Sequence, residues 1–124
     1  MTERHLVEKG ELSYDFANDI LFFKVKNREY SHSIEVNNIV IDIDEDDFIV
    51  GMQIFDASEM FELPKVQLVG PHGAKFRATI RDNRIQVSLL LEIRVRNKIF
   101  RPNPIVIQES DEELPDSEMV GVLA

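Results

Sequence analysis

The sequence has no cysteine and no tryptophan, and only five of its 124 residues are glycine. The lack of cysteine excludes disulfide bonds, thiolate metal sites and cysteine nucleophiles. No apolar run approaches the ~20 residues of a membrane span. The N-terminal segment "MTERHLVEKG" is charged and lacks the apolar core of a secretory signal. These absences predict a cytoplasmic protein with one domain and no membrane insertion.

Basic residues are scarce at both ends of the chain, and acidic residues are scarce in the middle. The net charge is −9, but residues 1–64 carry 15 acidic and 5 basic side chains, whereas residues 65–107 carry 9 basic and 2 acidic ones. Residues 108–124 add 6 acidic side chains and no basic one. This layout predicts a basic segment between two acidic segments, and charge segregation of this kind is typical of interaction surfaces.

Alternation of apolar and polar residues predicts a mainly β protein, made of antiparallel hairpins in one or two small sheets. Asn37-Asn38 fits a two-residue hairpin turn, because Asn accepts positive φ better than other residues with a side chain. The same register pairs Val36 with Ile39, and apolar residues then face apolar residues along the hairpin.

A second, longer hairpin is predicted in residues 74–107, with its turn at Asp82-Asn83. This register pairs Arg81 with Arg84 and leaves one face apolar and the other polar, as in a half-buried antiparallel pair. The segment "RPNPIVIQ", which begins at residue 101 at the end of this region, is expected to add an edge strand, where proline is tolerated.

One short helix is predicted near residues 57–63, with Asp56 as N-cap and Glu59 closing a capping box. The expected organisation is a single β-rich domain over residues 1–107, containing a family-like acidic unit over 11–64. Residues 108–124 are expected to form an acidic flexible tail, because they are highly charged and have little to bury.

Residues 11–58 resemble domain of unknown function 2283, a family of short prokaryotic domains. The resemblance rests on Tyr14, Asp15, Asp19, Leu21, Phe22, Glu35, Asp42, Asp44, Gly51, Ile54, Asp56, Ala57 and Ser58. Two positions depart from the family pattern: Gln53 stands where a glutamate is usual, and Asp47 where a glycine is frequent. The resemblance implies a small β-rich fold with one short helix and brings no established activity. Some members resemble the smaller partners of toxin–antitoxin-type gene pairs, which implies a binding role.

The acidic turn at residues 42–47 is the strongest candidate for chemistry. Asp42, Asp44, Asp46 and Asp47 are the candidate metal ligands, although a calcium loop of the EF-hand type would need Gly at Asp47 and Glu at Gln53. A solvated β-turn and pairing with arginine are the favoured alternatives. No catalytic residue and no cofactor are predicted, and the enzyme reading, a divalent-cation-dependent one, is the least favoured.

The outer face of the long hairpin carries the candidate residues for binding an anion or a partner: Arg77, Arg81, Arg84, Arg94 and Arg96. Like charges directly opposite on two strands are unfavourable without an anion between them. Nucleic acid is a possible but disfavoured anion, since the face lacks aromatic residues for stacking and the protein is acidic overall. Pairing with the acidic segments, within one molecule or between copies, is preferred.

The sequence therefore predicts a non-enzymatic interaction module that self-associates or binds a protein partner through its acidic and basic surfaces. In this interpretation the acidic turn and the arginine hairpin are the two halves of one complementary pair. The alternative is a nucleic-acid-associated regulator, or an antitoxin-like protein, that uses the arginine face.

Overall fold

The protein was analysed as a computed structural model, which describes residues 4–71, 73–95, 98–100, 105–109 and 113–123, with backbone alone for 94, 95, 98–100 and 105–108. Ten strands are present in these residues: β1 (Arg4–Asp15), β2 (Ile20–Val25), β3 (Tyr30–Val36), β4 (Ile39–Asp44), β5 (Ile49–Phe55), β6 (Gly73–Arg81), β7 (Arg84–Val95), β8 (Lys98–Phe100), β9 (Ile105–Glu109) and β10 (Ser117–Leu123). Between β5 and β6 lie the helix α1 (Ala57–Phe61) and a 3-10 helix (Lys65–Leu68). Within the described residues, no helix has the length and apolar character needed to cross a membrane.

The strands form one curled sheet in the order β3-β4-β5-β2-β1-β10-β6-β7-β8, with β9 also paired to β7. All pairs are antiparallel except β1 with β10. The predicted mainly β class with one short helix is confirmed, and of the two predicted arrangements, one sheet or two, the strands form one. We call β2 to β5 with their turns the acidic arm, and β6 with β7 the basic arm.

The end of the chain differs from the expectation of a flexible tail. Residues 117–123 form β10, which lies between β1 and β6 and is the strand that joins the two arms. Met119 and Gly121 are buried on the core side, and Leu114 is buried just before the strand. The alternation of small and apolar residues in "SEMVGVL" suits a strand with one buried face. Residues 110–112 and 124 of the predicted tail lie outside the described residues.

Both predicted hairpin registers are confirmed. Val36 pairs with Ile39 across the Asn37-Asn38 turn, where Asn37 has a φ of 52°. The turn of the long hairpin has positive φ at both central residues, 52° and 61°. Arg81 consequently lies opposite Arg84. The turn residues place each turn, and the apolar alternation beside it fixes the register, because a slip of one residue would expose the apolar face.

The bend of the sheet lies at the β1–β10 pair, where two glycines replace side chains on the core side. The ring of Phe23, from β2, lies over Gly10 and Gly121. It stacks on the ring of Phe76, from β6, with centroids 4.9 Å apart and planes 19° from parallel. Strands three positions apart in a flat sheet would be separated by about 14 Å. The missing side chains therefore allow the two arms to close on a shared core.

Candidate functional site

The family-type residues converge on the carboxylate of Asp19, in the turn between β1 and β2. Asp19 is only 8% exposed and has a φ of 56°. Its Oδ1 accepts hydrogen bonds from the Tyr14 hydroxyl at 2.6 Å and from the Ser58 backbone N–H at 3.0 Å. Its Oδ2 accepts one from the Ser58 hydroxyl at 2.6 Å. Three donors from two parts of the chain are thus held by a single carboxylate.

This arrangement corrects the capping-box prediction for α1. Asp56 occupies the N-cap position, but its φ is 52° and its side chain makes no capping hydrogen bond. Asp19 takes that role from the neighbouring turn, since it binds the N–H of Ser58 and its own carbonyl accepts the N–H of Ala57 at 3.1 Å. A five-residue helix is too short to be stable alone, so this connection fixes it against the sheet.

The hydrogen bonds also set the electrostatics of the cluster. Burial by itself would raise the pKa of the Asp19 carboxyl, but the hydrogen bonds from Ser58 and Tyr14 outweigh it, and the pKa is lowered from its ordinary value of 3.8. Burial, and then the hydrogen bond to Asp19, raise the pKa of the Tyr14 hydroxyl well above its ordinary value of 10.0. Asp19 is therefore an ionised acceptor and Tyr14 a protonated donor at neutral pH.

Acid should destabilise the fold partly through protonation of the Asp19 carboxylate. Because the pKa of this carboxyl is lower in the folded state, it stabilises the fold above its unfolded-state value and loses that contribution as pH falls through the folded value. We expect the difference in free energy of unfolding between the wild type and Asp19→Asn to shrink from about pH 5 to about pH 2. Urea denaturation at each pH measures it. The lowered pKa values of Asp15 and Glu118 act in both proteins and cancel. A difference that stays constant with pH would contradict the assignment.

The acidic turn is organised by Asp44, which is 4% exposed. Its Oδ1 accepts the backbone N–H groups of Asp46 and Phe48, both at 2.9 Å. Its Oδ2 accepts a hydrogen bond from Arg28 Nη1 at 2.6 Å, and the same nitrogen lies 3.4 Å from Asp46 Oδ2. Asp44 therefore closes its own turn, and its charge is balanced by an arginine of the acidic arm.

Arg4 is the second arginine at this turn. Its Nη1 donates to the carbonyl of Asp46, and its guanidinium lies 4.4 Å from the centre of the Phe48 ring. Arg28 lies 5.3 Å from the same ring centre. Two cations against one aromatic ring, beside several carboxylates, form a local charge cluster. The arginine pairing weighed from the sequence is thus present, but Arg4 and Arg28 supply it instead of the basic hairpin.

The four candidate metal ligands do not meet at one point. Asp42 lies within β4, where its Oδ1 accepts a hydrogen bond from the Ser33 hydroxyl at 2.8 Å. Asp44 is engaged as described above, and Asp47 has a φ of 63° at the end of the turn. Within the described part of the chain, no group of three or more His, Asp or Glu side chains is arranged to hold a metal ion.

The basic arm pairs with residues near the end of the chain. Arg77 donates two hydrogen bonds to Glu118 Oε2, at 2.7 and 3.1 Å, and these lower the pKa of the Glu118 carboxyl. His5 Nδ1 lies 3.4 Å from the other oxygen of Glu118. Arg84 Nη2 lies 3.7 Å from Glu109 Oε1. Of the other predicted arginines, Arg81 is exposed opposite Arg84. Arg96 and the side chain of Arg94 lie outside the described residues.

Sequence reasoning missed the roles of Arg4, Arg28 and Asp19. Arg4 reaches a residue 42 positions away, and Asp19 reaches one 39 positions away. Spacing in the sequence carries no signal for such contacts. The available signal was the family-type pattern, which contains Tyr14, Asp19 and Ser58 together.

Comparison with known proteins places the chain in a family. Residues 11–58 match the family described as Protein of unknown function (DUF2283), which confirms the resemblance seen in the sequence. A protein of Methanosarcina mazei named "Putative hypoxanthine phosphoribosyltransferase" is 35% identical over 99 residues, or 80% of this chain and 79% of that protein. An uncharacterized protein of Methanocaldococcus jannaschii is 26% identical over 102 residues, or 82% of this chain and 84% of that protein. No solved structure matches.

The two relatives are similar over about twice the length of the matched segment, so the similarity extends into the strands outside it. The Tyr14–Asp19–Ser58 cluster and the acidic turn both lie inside residues 11–58. Residues 11–58 therefore belong to the DUF2283 family of proteins of unknown function, and the relationship with the M. mazei protein extends over most of the chain.

Proposed function

We propose that the protein is a cytoplasmic, non-enzymatic interaction module that self-associates through its acidic and basic arms. One observation carries the proposal: the strand order separates the two charge signs onto opposite sides of β1 and β10. Exposed carboxylates on the acidic arm include Glu29, Glu35 and Glu45. Arms of opposite charge on one molecule are complementary to those of a second copy.

Ion pairs within the molecule use only part of the charge on the two arms. Glu118 and Glu109 contact Arg77 and Arg84, so carboxylates near the end of the chain serve the basic arm. The acidic arm contributes to neither of these pairs, and its turn is bound by Arg4 and Arg28. The remaining exposed carboxylates of the acidic arm favour a contact with a basic surface outside the molecule.

A protein partner is favoured over nucleic acid for the basic arm. Arg77 is held by both of its hydrogen bonds to Glu118, and Arg84 has a carboxylate within 4 Å. A phosphate and a partner's carboxylate would both compete with these carboxylates, so the preference for protein rests on the lack of aromatic residues for base stacking among the described residues of this face and on the net charge of −9. The carboxylates of Asp42 and Asp44 in the acidic turn are engaged within the fold, and these contacts give no support to phosphoribosyl transfer, the activity in the name of the M. mazei relative.

Charge reversal tests self-association directly. The first variant, Glu35→Lys with Glu45→Lys, makes the acidic arm basic. The second, Lys75→Glu with Arg84→Glu, makes the basic arm acidic. We expect light scattering at low salt to show association of the wild type and at least tenfold weaker association of either variant alone. An equimolar mixture of the two variants should associate, because each then presents the charge that the other lacks.

The controls are salt and the neutral variants. Raising the salt concentration should weaken the wild-type complex, since exposed charges are screened within about 10 Å at 0.1 M. Glu35→Gln with Glu45→Gln should weaken association less than the lysine variant does and should not be rescued by the second variant. A wild type that remains monomeric across the micromolar range would overturn the proposal, and so would a mixture that associates no better than its components.

A further inference from the structure

The outer face of the central strand pair carries valines where a solvated strand would carry polar residues. In one row across β1, β10 and β6, Val7 pairs with Val120, which pairs with Arg77. Val7 is 69% exposed. In the next row, Lys9 pairs with Val122, which pairs with Lys75. The result is a strip of three valines, which we call the valine strip, beside Lys9, Lys75 and Arg77; Arg77 is paired with Glu118, two residues before Val120 on β10. Adjacent exposed apolar residues with a charged rim are typical of interaction sites.

The free edge of the acidic arm has the opposite character. β3 is the terminal strand of the sheet on this side. Tyr30, at its start, is 61% exposed. The exposed carboxylates of Glu29 and Glu35 lie on either side of it along the chain. One exposed aromatic ring between acidic residues is chemically complementary to an apolar strip with a basic rim, and tyrosine is frequent among the residues that dominate binding energy.

We infer that the acidic edge of one copy, centred on Tyr30, docks on the valine strip of a second copy. This inference rests on the proposed self-association and names the two surfaces that meet. The Tyr30 ring covers Val7 and Val122, and the neighbouring carboxylates approach Lys9 and Lys75. The contact removes apolar surface from water on both sides and brings opposite charges together at the rim.

The charges select a head-to-tail contact over a symmetric one. If two valine strips met face to face, the lysine ammonium groups of one copy would approach those of the other, and like charges brought together are repulsive. Two acidic edges would repel in the same way. A heterologous contact avoids both problems, and it builds a ring or an open chain instead of a closed dimer.

The absence of cysteine makes the contact accessible to disulfide cross-linking in otherwise native, full-length protein. We expect Val7→Cys mixed with Tyr30→Cys, at a protein concentration far above the wild-type dissociation constant so that loss of the ring is offset, to form a covalent dimer under mild oxidation, seen on a non-reducing gel. Each variant alone should cross-link several-fold less. Val66→Cys is the matched control, because Val66 is a valine of similar exposure, 64%, on the 3-10 helix. It should not cross-link to Tyr30→Cys above the single-variant level.

The outcomes separate this inference from the proposed function. If the wild type associates and responds to charge reversal, but the Val7→Cys and Tyr30→Cys mixture does not cross-link, the surfaces are wrong and self-association stands. Cross-linking of Val7→Cys alone as efficiently as the mixture would overturn the head-to-tail contact in favour of a symmetric one. A monomeric wild type that is unaffected by charge reversal would contradict both the proposed self-association and the docking on the valine strip. Tyr30→Ala should raise the dissociation constant at least tenfold, and an unchanged value would also overturn the inference.

Discussion

Replacing Asp19 with alanine should lower the free energy of unfolding by about 3 kcal/mol, because the Tyr14 hydroxyl and the Ser58 N–H and hydroxyl all lose their acceptor. Hydrogen bonds to a charged group contribute about 1.5–3 kcal/mol each, and a buried donor without a partner costs about 1–3 kcal/mol. The three effects overlap and are not additive. Urea denaturation followed by circular dichroism measures the change.

Two further variants separate the carboxylate from the backbone. Asp19 has positive φ, a conformation that asparagine tolerates better than alanine does. Asp19→Asn should therefore lose about 2 kcal/mol, because one accepting oxygen becomes an NH2 donor and the remaining oxygen is uncharged and a weaker acceptor. Half-buried Asp15, at the start of the same turn, accepts hydrogen bonds from the backbone N–H and the side-chain amide of Asn18, and Asp15→Ala should change stability by less than about 1 kcal/mol.

The cluster can be tested as a unit with Tyr14→Phe. In the wild type this change removes a hydroxyl that is bonded at 2.6 Å, and it should be destabilising. In the Asp19→Ala background the hydroxyl has already lost its partner, so the same change should be neutral or stabilising. Additive effects of Tyr14→Phe in both backgrounds would show that the two side chains act independently and would contradict the cluster.

The predictable part of this structure is local. Asn37-Asn38 and Asp82-Asn83 adopt the positive φ values that their short polar side chains permit, and the apolar alternation beside them then fixes the pairing. Gly51 lies within β5, and a glycine inside a strand is typical of a bulge or a close backbone approach. An added Cβ there would lie 2.7 Å from the Phe23 carbonyl oxygen, and the β4–β5 register shifts beside it. In each case the information lies within a few residues.

The position of β10 could not be predicted, because it depends on a partner far away in the sequence. "ESDEELPDSE" has the composition of a solvated segment, so it gives no sign of the seven-residue strand that begins at Ser117. A parallel pair such as β1 with β10 also needs a long connection, which no turn motif announces. The same reason applies to Asp19 and Arg4, whose partners are set by the curled sheet and not by the local sequence.

The family-type residues have a physical role that is independent of any activity. Tyr14, Asp19 and Ser58 tie the first hairpin to the helix, and Asp44 closes the acidic turn. These contacts hold the acidic arm in shape, and Glu29, Glu35 and Glu45 beside them remain exposed. A fold maintained by its own carboxylate clusters can present different partner surfaces on the same framework.

Gly10→Ala, at the bend between β1 and β10, should lower the free energy of unfolding by about 2–3 kcal/mol. An added Cβ at Gly10 would enter the Phe23 ring, and one at Gly121 would lie 2.8 Å from the same ring. The ring cannot move aside easily, because it is buried and stacked on Phe76. Gly73→Ala is the control, since its new Cβ would meet the Glu92 Cβ at 3.8 Å, an ordinary contact, and it should change stability by less than about 0.5 kcal/mol.

A compensating change decides whether the clash with Phe23 is the cause. Phe23→Leu removes the ring atoms that an alanine at position 10 would meet, although alone it leaves space against Phe76 and is destabilising. Gly10→Ala combined with Phe23→Leu should be more stable than Gly10→Ala alone, with a coupling of at least about 1 kcal/mol. If the two losses simply add, the effect at Gly10 comes from the backbone of β1. The curl of the sheet would then not depend on the fit between this glycine and the ring.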